Sequence, residues 1–259
     1  MSDLSSCSCS LDLDVDLARG VQQVLFPKGS PLCSWCCIGV KNRMAQGVGG
    51  DFFDFITLKD GCQMVVIGDV TGHGLQASLV MAMLYGYVHR ATEDDCDPLR
   101  VAGEVNAFLD SFARRSQRLD HFFSTTFFCG IINPESLYME YVNAGHVAPV
   151  IRSDSGLQRL AVTGPPLGYF PEPGLGIASH RFRRGDRLLL VTDGIIEAFN
   201  ERGEAFGRKR FDAVLQQQAG DHLECLEGIF AALRAFGAED PPRDDCTAIV
   251  IDLHGGLGS

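Results

Sequence analysis

Four carboxylates in this sequence occur at or beside the ends of apolar strand patterns. In Val65–Gly74, a short β-branched run delivers Asp69 into a glycine-rich turn. Three more stretches repeat this arrangement and carry Asp51, Asp193 and Asp244: Val48–Phe55, Leu188–Gly194 and Arg243–Asp252. A buried strand that ends in a turn can hold an oxygen ligand rigidly at the rim of a core. The recurrence therefore predicts that the four carboxylates converge on one site.

These groups suit hard divalent cations, since Mg²⁺ and Mn²⁺ prefer octahedral sites made of a few carboxylates and water. Asp51, Asp69, Asp193 and Asp244, with a main-chain carbonyl near Asp69, would suffice as ligands. Two such ions can bind a bridging water, lower its pKa and neutralise charge on a phosphoryl group during in-line displacement. The residues therefore predict metal-assisted hydrolysis of a phosphate ester.

Composition and missing motifs exclude several other classes of protein. The sequence has no Gly-x-Ser-x-Gly nucleophile elbow, no Gly-x-x-x-x-Gly-Lys-Ser/Thr phosphate loop and no kinase signature set. The formal net charge of −11 argues against a nucleic-acid-binding surface, which needs a basic face. No apolar run approaches the length that spans a bilayer, and the polar N-terminus lacks an apolar signal core. We therefore expect a cytoplasmic protein that binds neither nucleic acid nor membrane.

The elements that must position the carboxylates can be predicted from hydrophobic periodicity. With 259 residues, of which 46% are hydrophobic, the chain can build one sizeable core. About ten strands come in runs, with two pairs of helices inserted between them, so a doubly wound parallel sheet is not expected. The predicted fold class is therefore α+β, in the form of a layered sandwich.

The element boundaries follow from turn residues and changes of period. The predicted helices are Asp16–Phe26, Leu75–Arg90, Leu99–Ser116, Lys209–Ala219 and His222–Phe236, with a short helical start at Ile195. The predicted strands are Leu32–Val40, Phe52–Leu58, Gln63–Asp69, Phe122–Ile132, Leu137–Val142, Pro149–Arg152, Gln158–Val162, Gly176–Phe182, Arg187–Thr192 and Thr247–Leu253. We expect a disordered N-terminus at 1–15, a linker or switch helix at 16–27, one domain at 28–254 and a frayed tail at 255–259.

The ordered motifs of this chain resemble those of the metal-dependent type 2C protein phosphatases, in the bacterial branch of SpoIIE and the RsbU regulators. The motifs are Val-Gly-Gly-Asp-Phe-Phe-Asp, Gly-Asp-Val-Thr-Gly-His-Gly, Ala-Gly-His, Thr-Asp-Gly-Ile-Ile-Glu-Ala and Asp-Asp-Cys-Thr, and the resemblance covers roughly residues 20 to 253. It implies a four-layer α-β-β-α sandwich of two antiparallel sheets flanked by helices. It also implies a site for two Mn²⁺ or Mg²⁺ ions and hydrolysis of phosphoserine or phosphothreonine on a protein.

The resemblance also assigns roles to single residues. Asp69 matches the carboxylate that bridges the two metals, and the backbone carbonyl of Val70 matches the main-chain ligand after it. Asp51, Asp193 and Asp244 match the remaining acidic ligands. Two further carboxylates match positions behind the ligands: Asp54 and Asp245.

Three basic residues near these motifs have more than one interpretation. The larger type 2C enzymes carry a phosphate-gripping arginine shortly before the first acidic ligand; Gly47 occupies that position here, which leaves Arg43 as a phosphate contact or as a solvated arginine. His73, in its Gly-His-Gly turn, either donates a proton to the leaving group or only shapes the backbone. His146 is expected to be a turn or core histidine.

The resemblance further implies a substrate and a mode of regulation. In this branch the substrate is a phosphorylated anti-sigma-factor antagonist, a small STAS-domain protein, in a bacterial partner-switching pathway. The Asp16–Phe26 helix resembles the linker that couples a sensor to the phosphatase, so it could dock a separate regulator or form a homodimer. Two alternatives are a catalytically silent binding module and a phosphoesterase for small molecules. Zinc binding by the cysteine pairs Cys7/Cys9 and Cys33–Cys37 is a minor alternative.

Overall fold

The computed structural model describes residues 5–27, 33–93, 97–115 and 123–254, with side chains described from residue 15 onward. The helices are α1 (Ser5–Leu25), α2 (Gly74–Thr92), α3 (Pro98–Arg115), α4 (Asp193–Ile196), α5 (Gly207–Gln217) and α6 (His222–Phe236). The strands are β1 (Cys36–Arg43), β2 (Asp51–Thr57), β3 (Gln63–Val70), β4 (Thr125–Asn133), β5 (Tyr138–Ala144), β6 (Val150–Ser153), β7 (Gly156–Arg159), β8 (Ala178–Arg181), β9 (Arg187–Val191) and β10 (Cys246–Leu253).

The strands form two five-stranded sheets in which all neighbouring strands pair antiparallel. One sheet, here the first sheet, has the order β1-β10-β9-β6-β7, and the second sheet has the order β2-β3-β4-β5-β8. Helices α2 and α3 cover the outer face of the second sheet, while α5 and α6 cover that of the first. The predicted α+β fold, a four-layer α-β-β-α sandwich, is therefore confirmed.

Strand β3 shows why the central strands are apolar on both faces. Its residues Val65 and Ile67 point into the core between the sheets, whereas Met64 and Val66 point toward the helices. Side chains alternate along a strand, and both faces are covered here, so the pattern is a continuous apolar run. This run ends at Asp69, where the sheet reaches its rim.

Local signals set the helix boundaries around the domain. Helix α6 begins with a capping box, in which Asp221 accepts from the backbone of Glu224 and the Glu224 side chain accepts from the Asp221 backbone. It ends at Gly237, which adopts the left-handed conformation with φ 79°. In the part of the chain that the structure describes, no helix is long and apolar enough to cross a membrane.

The structure differs from the sequence prediction most at the N-terminus. Helix α1 begins at Ser5, within the segment 1–15 that was predicted to be disordered, while residues 1–4 lie outside the described residues. Helix growth is cooperative, and a helix anchored by packing extends into a Ser- and Asp-rich segment at little further cost. Strand β1 begins at Cys36 and not at Leu32, which lies outside the described residues, as do residues 255–259 of the predicted tail.

Candidate metal centre

Two of the predicted ligands face each other at one end of the second sheet. Asp51 opens β2 and Asp69 lies near the end of β3, and the two are direct partners in the antiparallel register. Directly opposed residues project from the same face of a sheet, with their Cβ atoms about 5 Å apart. The β2–β3 pair therefore brings these two carboxylates side by side.

The other two predicted ligands lie at the matching end of the first sheet. Asp193 follows β9 and Asp244 precedes β10, and these strands run antiparallel to each other. The amide of Thr192 donates to the carbonyl of Thr247 at 3.0 Å, which closes this end of the strand pair. A Cβ atom on Gly194 would lie 2.1 Å from the Asp245 carbonyl oxygen, so only glycine permits this close approach.

Asp51 joins the two sheets through hydrogen bonds to its Oδ2 atom. The hydroxyl groups of Thr192 and Thr247 donate to this oxygen at 2.9 and 2.5 Å. An ionised carboxylate can only accept, so both hydroxyls donate to it. The Thr247 hydroxyl in turn accepts from Nδ2 of Asn42 at 2.6 Å, and the Thr192 hydroxyl accepts from the Thr247 amide at 3.0 Å. Each hydroxyl therefore has its proton available for the carboxylate.

The other Asp51 oxygen, Oδ1, is buried and has no hydrogen-bond partner. The residue is only 1% exposed. A buried carboxylate oxygen without a partner is costly, and native proteins seldom contain one unless an ion or water completes it. This atom is what we expect of a metal ligand.

Burial and mutual repulsion shift the pKa values of several of these carboxylates upward. Burial, and after it the charges of Asp193, Asp244 and Asp245, together raise the pKa of Asp69 to about 8. Burial also raises the pKa of Asp51 well above its usual range, with smaller contributions from Asp69 and Asp245. The pKa of Asp193 is raised by burial and then by Asp244. Each carboxylate makes the others harder to ionise, and a cation among them would remove that penalty.

The glycines before Asp51 allow the main chain to pass close to Val70. A Cβ atom on Gly50 would lie 2.6 Å from the Val70 carbonyl oxygen and 3.3 Å from Oδ1 of Asp69. The Val70 amide in turn donates to the Gly50 carbonyl at 3.3 Å. The predicted main-chain ligand therefore lies within the carboxylate group and not apart from it.

Asp245 holds the loop that leads to Asp51. Its two carboxylate oxygens accept from the amides of Ala45 and Gly50, both at 2.8 Å. A Cβ atom on Gly49 would lie 1.8 Å from Oδ2 of Asp245, so the loop packs directly on this carboxylate. Asp245 therefore supports the backbone of the loop that leads to Asp51.

Asp54, in contrast, is not part of this group. Its carboxylate accepts from the Tyr85 hydroxyl and lies 2.6 Å from Nε2 of His89, and both partners belong to α2. Asp51 and Asp54 are three residues apart on one strand and therefore point to opposite faces of the sheet. The prediction that Asp54 supports the ligands is not met, and its place is at the contact between β2 and α2.

The three basic residues differ in what surrounds them. Nη2 of Arg43 forms an ion pair with Asp240 at 2.6 Å, and Arg43 shares with Asp244 the lining of a cavity of about 180 Å³. His73 is exposed immediately before α2 and makes no side-chain cap for that helix. His146 is 2% exposed, with Nδ1 3.0 Å from the Thr126 hydroxyl, and burial lowers its pKa to about 3. It is a neutral core histidine, as the sequence predicted.

The residues present fit a hard cation that keeps part of its water shell. Among the described residues, no three or more His, Cys, Asp or Glu side chains lie close enough together to hold one metal ion by themselves. Mg²⁺ and Mn²⁺ sites often use only one or two carboxylates per ion, with water in the remaining positions. Asp244 is exposed, so the group opens to solvent on that side. The unpartnered Asp51 oxygen and the repelling carboxylates support such an ion.

Sequence reasoning missed the two threonines that orient Asp51. Thr192 and Thr247 are 0% exposed and come from two different strand ends. A signal for both was present, because each lies within a recognised motif, Thr-Asp-Gly or Asp-Asp-Cys-Thr. A hydroxyl group at a strand end beside a metal-binding carboxylate is a natural candidate for fixing its orientation.

Comparisons with known proteins bear on the family and the fold. The family model described as Stage II sporulation protein E (SpoIIE) matches residues 59–254. Protein IcfG from Synechocystis is 27% identical over 92% of this chain, and phosphoserine phosphatase RsbU from Bacillus subtilis is 26% identical over 92%. The chain spans 41% of the length of IcfG and 69% of that of RsbU. The SiaA-PP2C domain of Pseudomonas aeruginosa superimposes with a TM-score of 0.82, at 20% identity, over 96% of this chain and 100% of that domain.

Proposed function

This chain belongs to the SpoIIE family, in the RsbU-type branch of the type 2C phosphatases, and on that premise we propose that it is a metal-dependent protein serine/threonine phosphatase. The main support for the proposal is that four carboxylates lie together at the same end of the two sheets: Asp51, Asp69, Asp193 and Asp244. Its second support is the Asp51 oxygen that has no hydrogen-bond partner.

Each residue of the centre has a separate task in this proposal. Asp69, the Val70 carbonyl and Asp51 would hold two Mn²⁺ or Mg²⁺ ions from the side of the second sheet, and Asp193 and Asp244 would hold them from the first. When bound, such ions supply a water of lowered pKa and offset charge on the phosphoryl group. Thr192 and Thr247 keep one Asp51 oxygen occupied, so that the other would remain free to bind an ion.

The leaving serine or threonine oxygen needs a proton, and His73 is our proposed donor. It is exposed at the turn after β3, three residues beyond Val70. Arg43 remains a proposed phosphate contact, which would first have to leave its ion pair with Asp240. Replacement of His73 by glutamine should lower turnover of an alkyl phosphate more than that of p-nitrophenyl phosphate, whose leaving group needs no proton.

We propose a phosphorylated protein as the substrate, and within the branch a STAS-type anti-sigma-factor antagonist in a partner-switching pathway. The centre is exposed on the Asp244 side, which suits a phosphorylated residue presented on a protein surface. Good turnover of a sugar phosphate or nucleotide with none of a phosphopeptide would favour the small-molecule alternative. A folded, metal-binding protein without any turnover would favour a silent binding module.

Helix α1 is connected by hydrogen bonds to the loop before Asp51, which supports a regulatory role. The buried Gln22 side chain donates to the Gly49 carbonyl at 2.8 Å and accepts from the Gly49 amide at 3.2 Å. The opposite side of α1 exposes Leu17, Val21 and Val24, each more than 60%, at helical spacing. We propose that this face docks a separate regulator or a second copy of the chain.

Deletion of residues 1–26 tests the docking role of α1. The expected result is a changed oligomeric state by light scattering or a changed activity, and a truncated protein identical to wild type in both would refute the proposal. The double change Val21→Ser and Val24→Ser alters only the exposed face and leaves Gln22 in place. It should abolish docking while basal activity persists.

Hydrolysis of p-nitrophenyl phosphate with Mn²⁺, Mg²⁺ or EDTA tests the catalytic proposal. Wild type should need metal, and Asp69→Asn should lose activity by several orders of magnitude while remaining folded. Asp110→Asn is a matched control, because Asp110 pairs with Arg114 on the surface of α3. Activity that persists in EDTA, or in Asp69→Asn, would refute the metal mechanism.

A further inference from the structure

A cavity beside the metal centre is bounded by the two loops that carry the candidate ligands of the first sheet. Its volume is about 180 Å³, and its lining includes Gly194 and Asp244, so it directly borders the carboxylate group. One wall comes from residues 194–199, which follow Asp193, and the other comes from residues 238–244, which end at Asp244. We call this space the side cavity.

The two walls of the side cavity are joined to each other and to α6. The Glu239 amide donates to the Phe199 carbonyl at 3.0 Å, and Asn200 and Ala238 form an antiparallel bridge. The Ala238 amide also donates at 3.0 Å to the carbonyl of Leu233, in the last turn of α6. Backbone contacts therefore fix both walls, and the cavity is preformed.

The buried part of the lining is apolar. Phe230 and Leu233 of α6 are 1% and 6% exposed, and Cys246 of β10 is 4% exposed. The Phe199 ring, which is partly exposed, adds an apolar surface to one wall. Protein interiors are close-packed and contain few voids larger than a water molecule, whereas a preformed apolar space with a few polar groups at its edge is typical of a binding site.

The charged groups of the lining balance one another. Apart from Asp244, the charged lining residues are three arginines and three acidic residues: Arg43, Arg234 and Arg243, and Glu197, Glu239 and Asp240. Arg43 forms an ion pair with Asp240, and Arg243 forms one with Glu239. The Arg243 guanidinium also lies over the Phe199 ring, 5.1 Å from its centroid. The formal charges of these six residues cancel, so the cavity suits an uncharged group.

We propose that the side cavity binds one apolar side chain of the protein substrate, close in sequence to the phosphorylated residue. This inference rests on the proposed phosphatase activity and adds a determinant of substrate specificity to it. Ligand pockets usually measure about 300–1,000 Å³, so a space of about 180 Å³ suits a single side chain such as leucine and not a whole small molecule.

The position of the cavity limits where that side chain lies in the substrate. Asp244 belongs both to the carboxylate group and to the cavity lining, and the group opens to solvent on the Asp244 side. Residues that flank a phosphorylated residue held at the centre therefore pass the mouth of the cavity. An extended chain advances about 3.3 Å per residue, so the apolar side chain belongs within about three residues of the phosphorylated one.

Phosphate release from synthetic phosphoserine peptides in the presence of Mn²⁺ tests the proposal. The reference peptide has alanine at the three positions on each side of phosphoserine, and each further peptide carries leucine at one of these positions. Leucine at one position should raise kcat/KM about tenfold or more over the reference, because most of its side chain leaves water. Asparagine at that position is close to leucine in size but polar, and it should give no gain.

Two variants change the side cavity without altering a candidate ligand. Phe199→Ala removes an apolar wall, and Ala238→Leu fills part of the space. Both should lose the preference for leucine and should hydrolyse p-nitrophenyl phosphate, which has no flanking residues, as wild type does. Leu223→Ala is the matched control, because Leu223 is 55% exposed in the first turn of α6, about two turns before Phe230. This control should keep the preference.

The outcomes separate the side cavity from the phosphatase activity. Three results would each overturn the side-cavity proposal alone: no preference for leucine at any position, an equal gain with asparagine, or a preference that survives in both Phe199→Ala and Ala238→Leu. An equal loss of the preference in Leu223→Ala would overturn it as well. If wild type turned over neither p-nitrophenyl phosphate nor any peptide, the proposed phosphatase function would fail, and the side-cavity proposal with it.

Discussion

Replacement of Thr247 by valine removes one of the two donors that orient Asp51. Valine keeps the shape of the side chain and the backbone amide that donates to Thr192. What is lost is the 2.5 Å hydrogen bond to Oδ2 of Asp51 and the acceptor for Asn42. Asn42 is partly exposed and can bond to water instead, so the loss at Asp51 dominates.

The size of the effect follows from the burial of Asp51. A hydrogen bond to a charged group is worth about 1.5–3 kcal/mol, and Asp51, at 1% exposed, has no water to replace it. The Thr192 and Thr247 hydroxyls also lower the pKa of Asp51 against the larger effect of burial. Thr247→Val should therefore let protons compete better with metal. We expect metal affinity to fall about ten- to hundredfold, the range typical of groups that support metal ligands.

Two Mn²⁺ titrations at several pH values test this prediction. One follows phosphatase activity, and the other measures Mn²⁺ affinity by calorimetry. The variant should need more Mn²⁺ for half-maximal activity, with a larger deficit at low pH and with turnover recovered at saturating metal. Thr57→Val serves as control, because Thr57 is exposed at the far end of β2 and bonds only to Gln63. If Thr247→Val and Thr57→Val had the same Mn²⁺ requirement, Asp51 would not be a metal ligand held by this network.

Two further changes test the site and its surroundings. Gly194→Ala would place a Cβ atom 2.1 Å from the Asp245 carbonyl oxygen. Urea unfolding should show that the free energy of unfolding falls by about 2 kcal/mol or more, and metal-dependent activity should fall as well. The control is Gly86→Ala on α2, which has open space around it and should be neutral or stabilising. Burial raises the pKa of Asp54, but the hydrogen bonds with His89 and Tyr85 have the larger combined effect, so the pKa is lowered overall. The ionised Asp54 therefore stabilises the fold above about pH 4, and this stabilisation is lost as the pH falls below that value. Asp54→Asn should therefore lower stability at pH 7 and flatten its decline toward pH 3; an unchanged pH profile of unfolding would contradict this.

The sequence predicted most elements to within a few residues, because each has a clear period and a clear end. Helix His222–Phe236 was predicted at the boundaries that the structure shows, since Asp221 caps it and Gly237 ends it. The N-terminal helix was predicted eleven residues too short, because composition indicates solubility and not whether packing extends a helix. Two strands were shifted: β7 covers Gly156–Arg159 and not Gln158–Val162, and β1 begins at Cys36 although Pro31 had suggested a start at Leu32.

The four candidate acidic ligands could be predicted from sequence because each occupies a strand end within a recognisable motif. Their supporting contacts could not, since Thr192 and Thr247 of the first sheet reach Asp51 of the second only when the two sheets face each other. Asp54 was misplaced although the information was available. A separation of three along a strand places two side chains on opposite faces, and applying that rule to Asp51 would have assigned Asp54 to the helix side.

The same arrangement explains why the site lies where the two sheets meet. Asp51 and Asp69 belong to the second sheet, and Asp193 and Asp244 flank strands of the first, so ions held by both pairs would join the sheets at this end. The raised pKa values of Asp51, Asp69 and Asp193 mean that, without ions, keeping these carboxylates ionised at this end of the sheets destabilises the fold. Helix α1 contacts the same end through Gln22 and the loop before Asp51. A partner that shifted α1 would therefore act on the end of the fold where the proposed ions would join the two sheets.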